Sequence, residues 1–138
     1  MANLDCDVLV VEDDPLVADA IGDGVRLAGY RVCGIAADID TAVELAHRHR
    51  PRLAIIDVDL GDGDDGIEAA RRMLDVGPLG IVFVTGYPER IEAADVGHAW
   101  MPKPYRLLDL INALQVVRAI SERGPVTTPV PPELRLIR

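Results

Sequence analysis

Short, unbroken apolar runs alternate along this chain with stretches where apolar residues return every three or four positions. Asp7-Val8-Leu9-Val10-Val11 is the first such run, and a strand covered on both faces of a parallel sheet reads this way. Arg31 to Ala36, Leu53-Ala54-Ile55-Ile56-Asp57, Gly80 to Val84 and a short stretch near His98 to Met101 supply four more strands. Between the first two, Asp14-Pro15 gives an N-cap followed by proline at the first helical position. Val17, Ala20, Ile21, Gly24 and Ala28 then continue at helical spacing until Gly29. Thr41-Ala42-Val43-Glu44 has capping-box spacing and predicts a helix to about Arg50, before Pro51. A helix from about Gly66 carries Ile67, Ala70 and Leu74 on one face, and a weak helical stretch runs from Pro88 to Asp95. Pro104 opens the last helix, with Leu107, Leu108, Ile111, Leu114 and Val117 facing inward. Strand and helix alternate five times, which predicts a doubly wound α/β sandwich with its ligand site at the carboxyl ends of the strands.

The remainder, 124–138, contains Pro125, Pro129, Pro131 and Pro132 and reads as an extended tail. Its Leu134, Leu136 and Ile137 are free to dock on the domain or on a partner. A length of 138 residues suits one domain, and no internal repeat or second domain is evident. Aromatics are only 4%, so the core must be built from Val, Leu, Ile and Ala. The net charge of −9 argues against a nucleic-acid partner, which requires a basic face, and suits metal cations. The sequence has neither a membrane-length apolar stretch nor a signal-like start, so the protein is expected in the cytoplasm, away from the membrane. Cys6 and Cys33 lack ligand or redox spacing and read as buried free thiols in or beside strands.

The residues that end the strands carry the chemistry. The first strand ends in Glu12-Asp13-Asp14, the third in Asp57, the fourth in Thr85, and Lys103 follows the fifth. A parallel sheet sets these ends side by side. Clustered carboxylates repel, and a hard divalent cation relieves that repulsion; Mg²⁺ favours such a site.

This set of residues, over about 5 to 122, resembles the receiver domain of two-component response regulators. The resemblance implies a flavodoxin-like, five-stranded parallel sheet in the order 2-1-3-4-5 with helices on both faces. It also implies that 1–123 is the phosphoacceptor domain; with 124–138 read as a proline-rich tail, no output domain is expected. Asp57 would be the nucleophile toward a phosphohistidine, supported by Lys103 and the Thr85 hydroxyl. Asp13, Asp57 and the backbone carbonyl of Asp59 would bind Mg²⁺, with Glu12 reaching the ion through water. A histidine kinase or histidine phosphotransfer protein would be the partner. Thr85, Tyr87 and Trp100 would form the switch.

Phe83-Val84-Thr85-Gly86-Tyr87 with Met101-Pro102-Lys103-Pro104-Tyr105 is similar to single-domain receivers of alphaproteobacteria whose motif reads Phe-Ala-Thr-Gly-hydrophobic-Tyr. Gly86, Pro102 and the short stretch from Thr85 to Lys103 depart from the ordinary receiver. They predict a short or irregular fourth helix, with Tyr87 to Asp95 the least ordered part of the domain. Asp14 and Asp65 read as helix N-caps, Asp62 and Asp64 as loop residues held by solvent, and His47, His49 and His98 as surface or packing residues. Two other chemistries share part of this pattern: an aspartyl-phosphate phosphatase, from Asp57-Val58-Asp59, and a calcium loop running from Asp57 to Glu68. The glycine of such a loop is replaced by Asp62, and a strand leads in rather than a helix.

Overall fold

The computed structural model describes residues 7–92 and 94–137; the expectation for Cys6 lies outside them. Strands β1 (Asp7–Val11), β2 (Arg31–Ala36), β3 (Leu53–Asp57), β4 (Gly80–Thr85) and β5 (Ala99–Pro102) pair in parallel, in the order 2-1-3-4-5. Helices α1 (Pro15–Leu27) and α4 (Leu107–Ser121) cover one face, and α2 (Ile39–His49) and α3 (Gly66–Arg72) the other. Alternate residues of the central strands feed two cores. Leu9, Val11, Ile56 and Phe83 pack toward α2 and α3, whereas Val8, Val10, Ile55 and Val82 pack toward α1 and α4. The unbroken apolar runs follow from this double coverage.

The sheet has six strands rather than the expected five. β6 (Arg135–Leu136) joins β5 antiparallel through Ala99↔Leu136 and Trp100↔Arg135. The proline-rich stretch therefore returns to the domain: Leu134 is buried against the α1/α4 core, and Ile137 packs on the other side. A two-residue strand has no periodicity to read, while an open β5 edge gives it amides to pair with.

All four helices depart in detail from the expected pattern. The buried face of α1 is Ala18, Ile21, Gly22 and Val25; Ala20 and Ala28 are exposed, because alanine is small enough for either face. α2 is capped by Asp38, which accepts from Thr41 N at 2.8 Å, so it starts ahead of the Thr41 capping box. α3 stops at Arg72, and a 3-10 turn, Leu74–Val76, buries Met73 and Val76 and turns Leu74 outward. On α4, Leu108 is exposed, and Leu110, Ala113 and Val116 join the inward residues.

The expected fourth helix is reduced to a 3-10 turn, Pro88–Arg90. The segment around it is anchored by buried Ile91 and Val96 and by Gly97, which at φ +94° lies directly against the Phe83 ring. Ion pairs Arg90–Asp65 at 3.5 Å and Arg71–Asp95 at 2.9 Å tie it to α3. Among the described residues no helix is long and apolar enough to cross a membrane.

Candidate functional site

At the carboxyl rim of the sheet, the residues after β1, β3 and β5 line an open cleft of about 820 Å³. Asp57 closes β3 and is almost wholly buried. Its Oδ1 accepts from Asp59 N at 3.0 Å and its Oδ2 from Lys103 Nζ at 2.8 Å, so both oxygens are held. One carboxylate oxygen from each of Glu12, Asp13 and Asp57 lies within 4.8 Å of the others. That spacing suits a shared divalent cation and is unfavourable without one.

Glu12 is buried by its position directly after β1, where its amide donates to the Ala36 carbonyl at 2.9 Å. Its Oε2 accepts from Asp14 N at 3.1 Å, but buried Oε1 has no hydrogen-bond partner. An unpaired buried carboxylate oxygen is costly and fits a site built to receive a water or an ion. Burial, reinforced by the charge of Asp57, pushes the Glu12 carboxyl up to about 7 despite the Asp14 amide and the Lys103 ammonium. Burial opposes the charged form of Lys103, yet its hydrogen bond to Asp57 and the charges of Asp57, Glu12 and Asp59 hold its pKa above the ordinary value.

Thr85 ends β4 fully buried, and its hydroxyl accepts from Tyr87 N at 2.9 Å. Its carbonyl accepts from Lys103 N at 2.8 Å, which keeps the β4 and β5 ends in step. Tyr87 is half exposed, and Trp100 lines a separate groove with Pro88, Ile91, Leu136 and Ile137. Of the sequence-predicted residues, Glu12, Asp13, Asp57, Asp59 and Lys103 thus line the cleft, and Thr85, Tyr87 and Trp100 do not.

Asp14 and Asp65 are helix caps, accepting from Leu16 N at 3.0 Å and Ile67 N at 2.8 Å. Glu68 pairs with Arg72 at 3.0 Å and Arg71 at 3.4 Å, and it is not one of the carboxylates that converge with Asp57, as a calcium loop would require. His98 Nδ1 accepts from Ile81 N at 3.1 Å, and burial lowers its pKa. Two features escaped the sequence reading. Tyr105 lines the cleft after the cis Lys103–Pro104 bond, its hydroxyl pushed up to about 12 by burial and by the charges of Glu12 and Asp57. Asp64 is not simply solvated: it accepts from Ile39 N at 3.2 Å. Position beside Lys103-Pro104 could have flagged Tyr105, but no local signal marks a bond from Asp64 to a residue 25 positions away.

The family profile of the response regulator receiver domain matches residues 8–115. The transcriptional regulatory protein PdtaR of Mycobacterium tuberculosis is 37% identical over 124 residues, covering 87% of this chain and 59% of the relative. The phyllosphere-induced regulator PhyR of Methylorubrum extorquens is 34% identical over 90 residues, covering 64% and 34%. The solution structure of the Erythrobacter litoralis PhyR receiver domain aligns with a TM-score of 0.71 at 26% identity, covering 91% of this chain and 95% of that domain. The chain spans less than two-thirds of the length of these two curated relatives.

Proposed function

Since this chain belongs to the response regulator receiver domain family, we propose that it accepts a phosphoryl group from a phosphohistidine onto Asp57 in a Mg²⁺-dependent reaction. The carrying observation is the buried Asp57 carboxylate, held by Lys103 at 2.8 Å beside two further carboxylates within 4.8 Å. Asp13, Asp57 and the Asp59 carbonyl would hold Mg²⁺, and the unpaired Glu12 oxygen would meet its water shell. Bound there, Mg²⁺ supplies positive charge against the oxygens of the transferring group.

The chain's own residues do the rest. Lys103 and the Asp59 amide orient the Asp57 carboxylate, one oxygen of which attacks phosphorus as the P–N bond to imidazole breaks. The P–N electron pair returns to the ring, and an imidazole already protonated on its other nitrogen leaves as the neutral base. Lys103, released from the carboxylate oxygen, then faces the new phosphoryl oxygens, and the Thr85 hydroxyl, which accepts from Tyr87 N, turns its own proton to one of them. The protein is a phosphoacceptor rather than a turnover enzyme. Its partners are a histidine kinase or a histidine phosphotransfer protein, and the signal leaves by partner binding or by relaying or draining phosphate.

Intact-mass spectrometry after incubation with acetyl phosphate should show one added phosphoryl group in Mg²⁺ and none in EDTA. Asp57→Asn should take up none. A fully labelled Asp57→Asn protein overturns the assignment of the nucleophile.

A further inference from the structure

We infer that Asp64 is a positioning residue for the acidic cleft, acting by docking the loop after β3 onto the first turn of α2; this rests on the Mg²⁺-dependent phosphoacceptor reading above. The loop, 58–65, brings two groups to the cleft. Asp59 donates its amide to Asp57, and Gly61 lies so close to Asp13 that a Cβ there would stand 3.1 Å from Asp13 Oδ2. Its centre is a run of left-handed residues, Gly61, Asp62 and Gly63, closed by Asp64 N donating to the Gly61 carbonyl at 2.9 Å. That bond shapes the turn without fixing where it sits.

Val58 N on the Val84 carbonyl and buried Leu60 hold the start of the loop, and the bond from Ile39 N to Asp64 Oδ2, at 3.2 Å, ties its far side to α2. Ile39 is buried and opens α2, so its amide is one of the donors a helix leaves unpaired at its start. Asp38 takes the neighbouring donor, Thr41 N, at 2.8 Å, and Asp64 takes this one. A carboxylate is favoured there by the helix dipole. Meanwhile Asp59, on the loop, faces a cleft shared with the carboxylates of Glu12, Asp13 and Asp57, whose repulsion the brace opposes. The same β2–α2 junction also anchors the opposite wall, because Ala36 accepts from Glu12 N at 2.9 Å. One short turn therefore braces both sides of the cleft.

The test compares wild type, Asp64→Ala and Asp64→Asn. Mg²⁺ affinity is read by calorimetry, acetyl phosphate labelling at saturating Mg²⁺, and melting temperature in EDTA. Losing one hydrogen bond should raise the Mg²⁺ dissociation constant of Asp64→Ala about two- to tenfold, with a smaller effect on labelling at saturation. Asp64→Asn keeps an acceptor oxygen and should bind within about twofold of wild type. An unchanged dissociation constant in Asp64→Ala, or an Asn variant as weak as the Ala variant, overturns the inference. Should Asp64→Ala fail to fold, hydrogen exchange of wild type decides, because the Ile39 amide must be protected and an unprotected one rejects the brace. If wild type itself takes neither Mg²⁺ nor phosphoryl, the phosphoacceptor reading is what has failed.

Discussion

Glu12 combines burial with an unpaired carboxylate oxygen. Burial lifts its carboxyl from 4.5 to about 7, so between those values the folded protein keeps a proton that the unfolded chain releases. Stability of the metal-free protein should therefore fall as pH rises from about 4.5 through 7. Denaturant titrations in EDTA at pH 5 and pH 7.5 test this, and Glu12→Gln should flatten the difference; a slope that survives in Glu12→Gln assigns it to another group. Asp13→Asn removes a carboxylate from the acidic triad and should weaken Mg²⁺ binding in calorimetry while leaving the fold intact, since Asp13 is exposed. Gly66 carries a different constraint. A Cβ there would land on the Asp57 carbonyl oxygen and stand 2.8 Å from the Ile56 side chain, with no flexible tip to yield. Gly66→Ala should cost about 1–3 kcal/mol in denaturant melts and disturb labelling at Asp57 as well.

Between β4 and β5, an anchored 3-10 turn replaces a helix, and Thr85 holds that segment by accepting the Tyr87 amide. A phosphoryl group that draws the Thr85 hydroxyl toward Asp57 moves the acceptor of that amide, so the segment should respond as a unit. Hydrogen exchange with and without beryllofluoride should change at amides from Gly86 to Gly97; identical exchange in both states refutes a switch through this segment. Strands were legible because each is covered on both faces, and the Asp14 and Asp65 caps were legible because a cap bonds within three residues. The phases of α1 and α3 were not, since Ala20 and Ala28 satisfy either face and the turn at Leu74–Val76 interrupts the period. Glu12, Asp13, Asp57, Asp59 and Lys103 could be grouped because they end strands that a parallel sheet must align. Tyr105 sits beside the Lys103-Pro104 signal, whereas Asp64 supports the cleft through a bond across 25 residues, which no local pattern encodes.

For the molecule as a whole, the sixth strand ties residues 134–137 into a domain that sequence periodicity ends near Ser121. Leu134→Ala should destabilise by roughly 2–3 kcal/mol in denaturant melts, because the side chain is buried against the α1/α4 core. A truncation at Arg123 should lower the melting temperature and expose the β5 edge, while still taking phosphoryl on Asp57. No loss of stability in either variant means that the strand does not hold in solution. The antiparallel sense of β6 has a practical corollary. Running back along β5 from Trp100 to Ala99, it brings Ile137 N to the His98 carbonyl, at the end of the sheet remote from Asp57. A fluorophore, tether or fused protein attached after that point would leave from the end of the sheet opposite Asp57, with the mouth of the cleft clear.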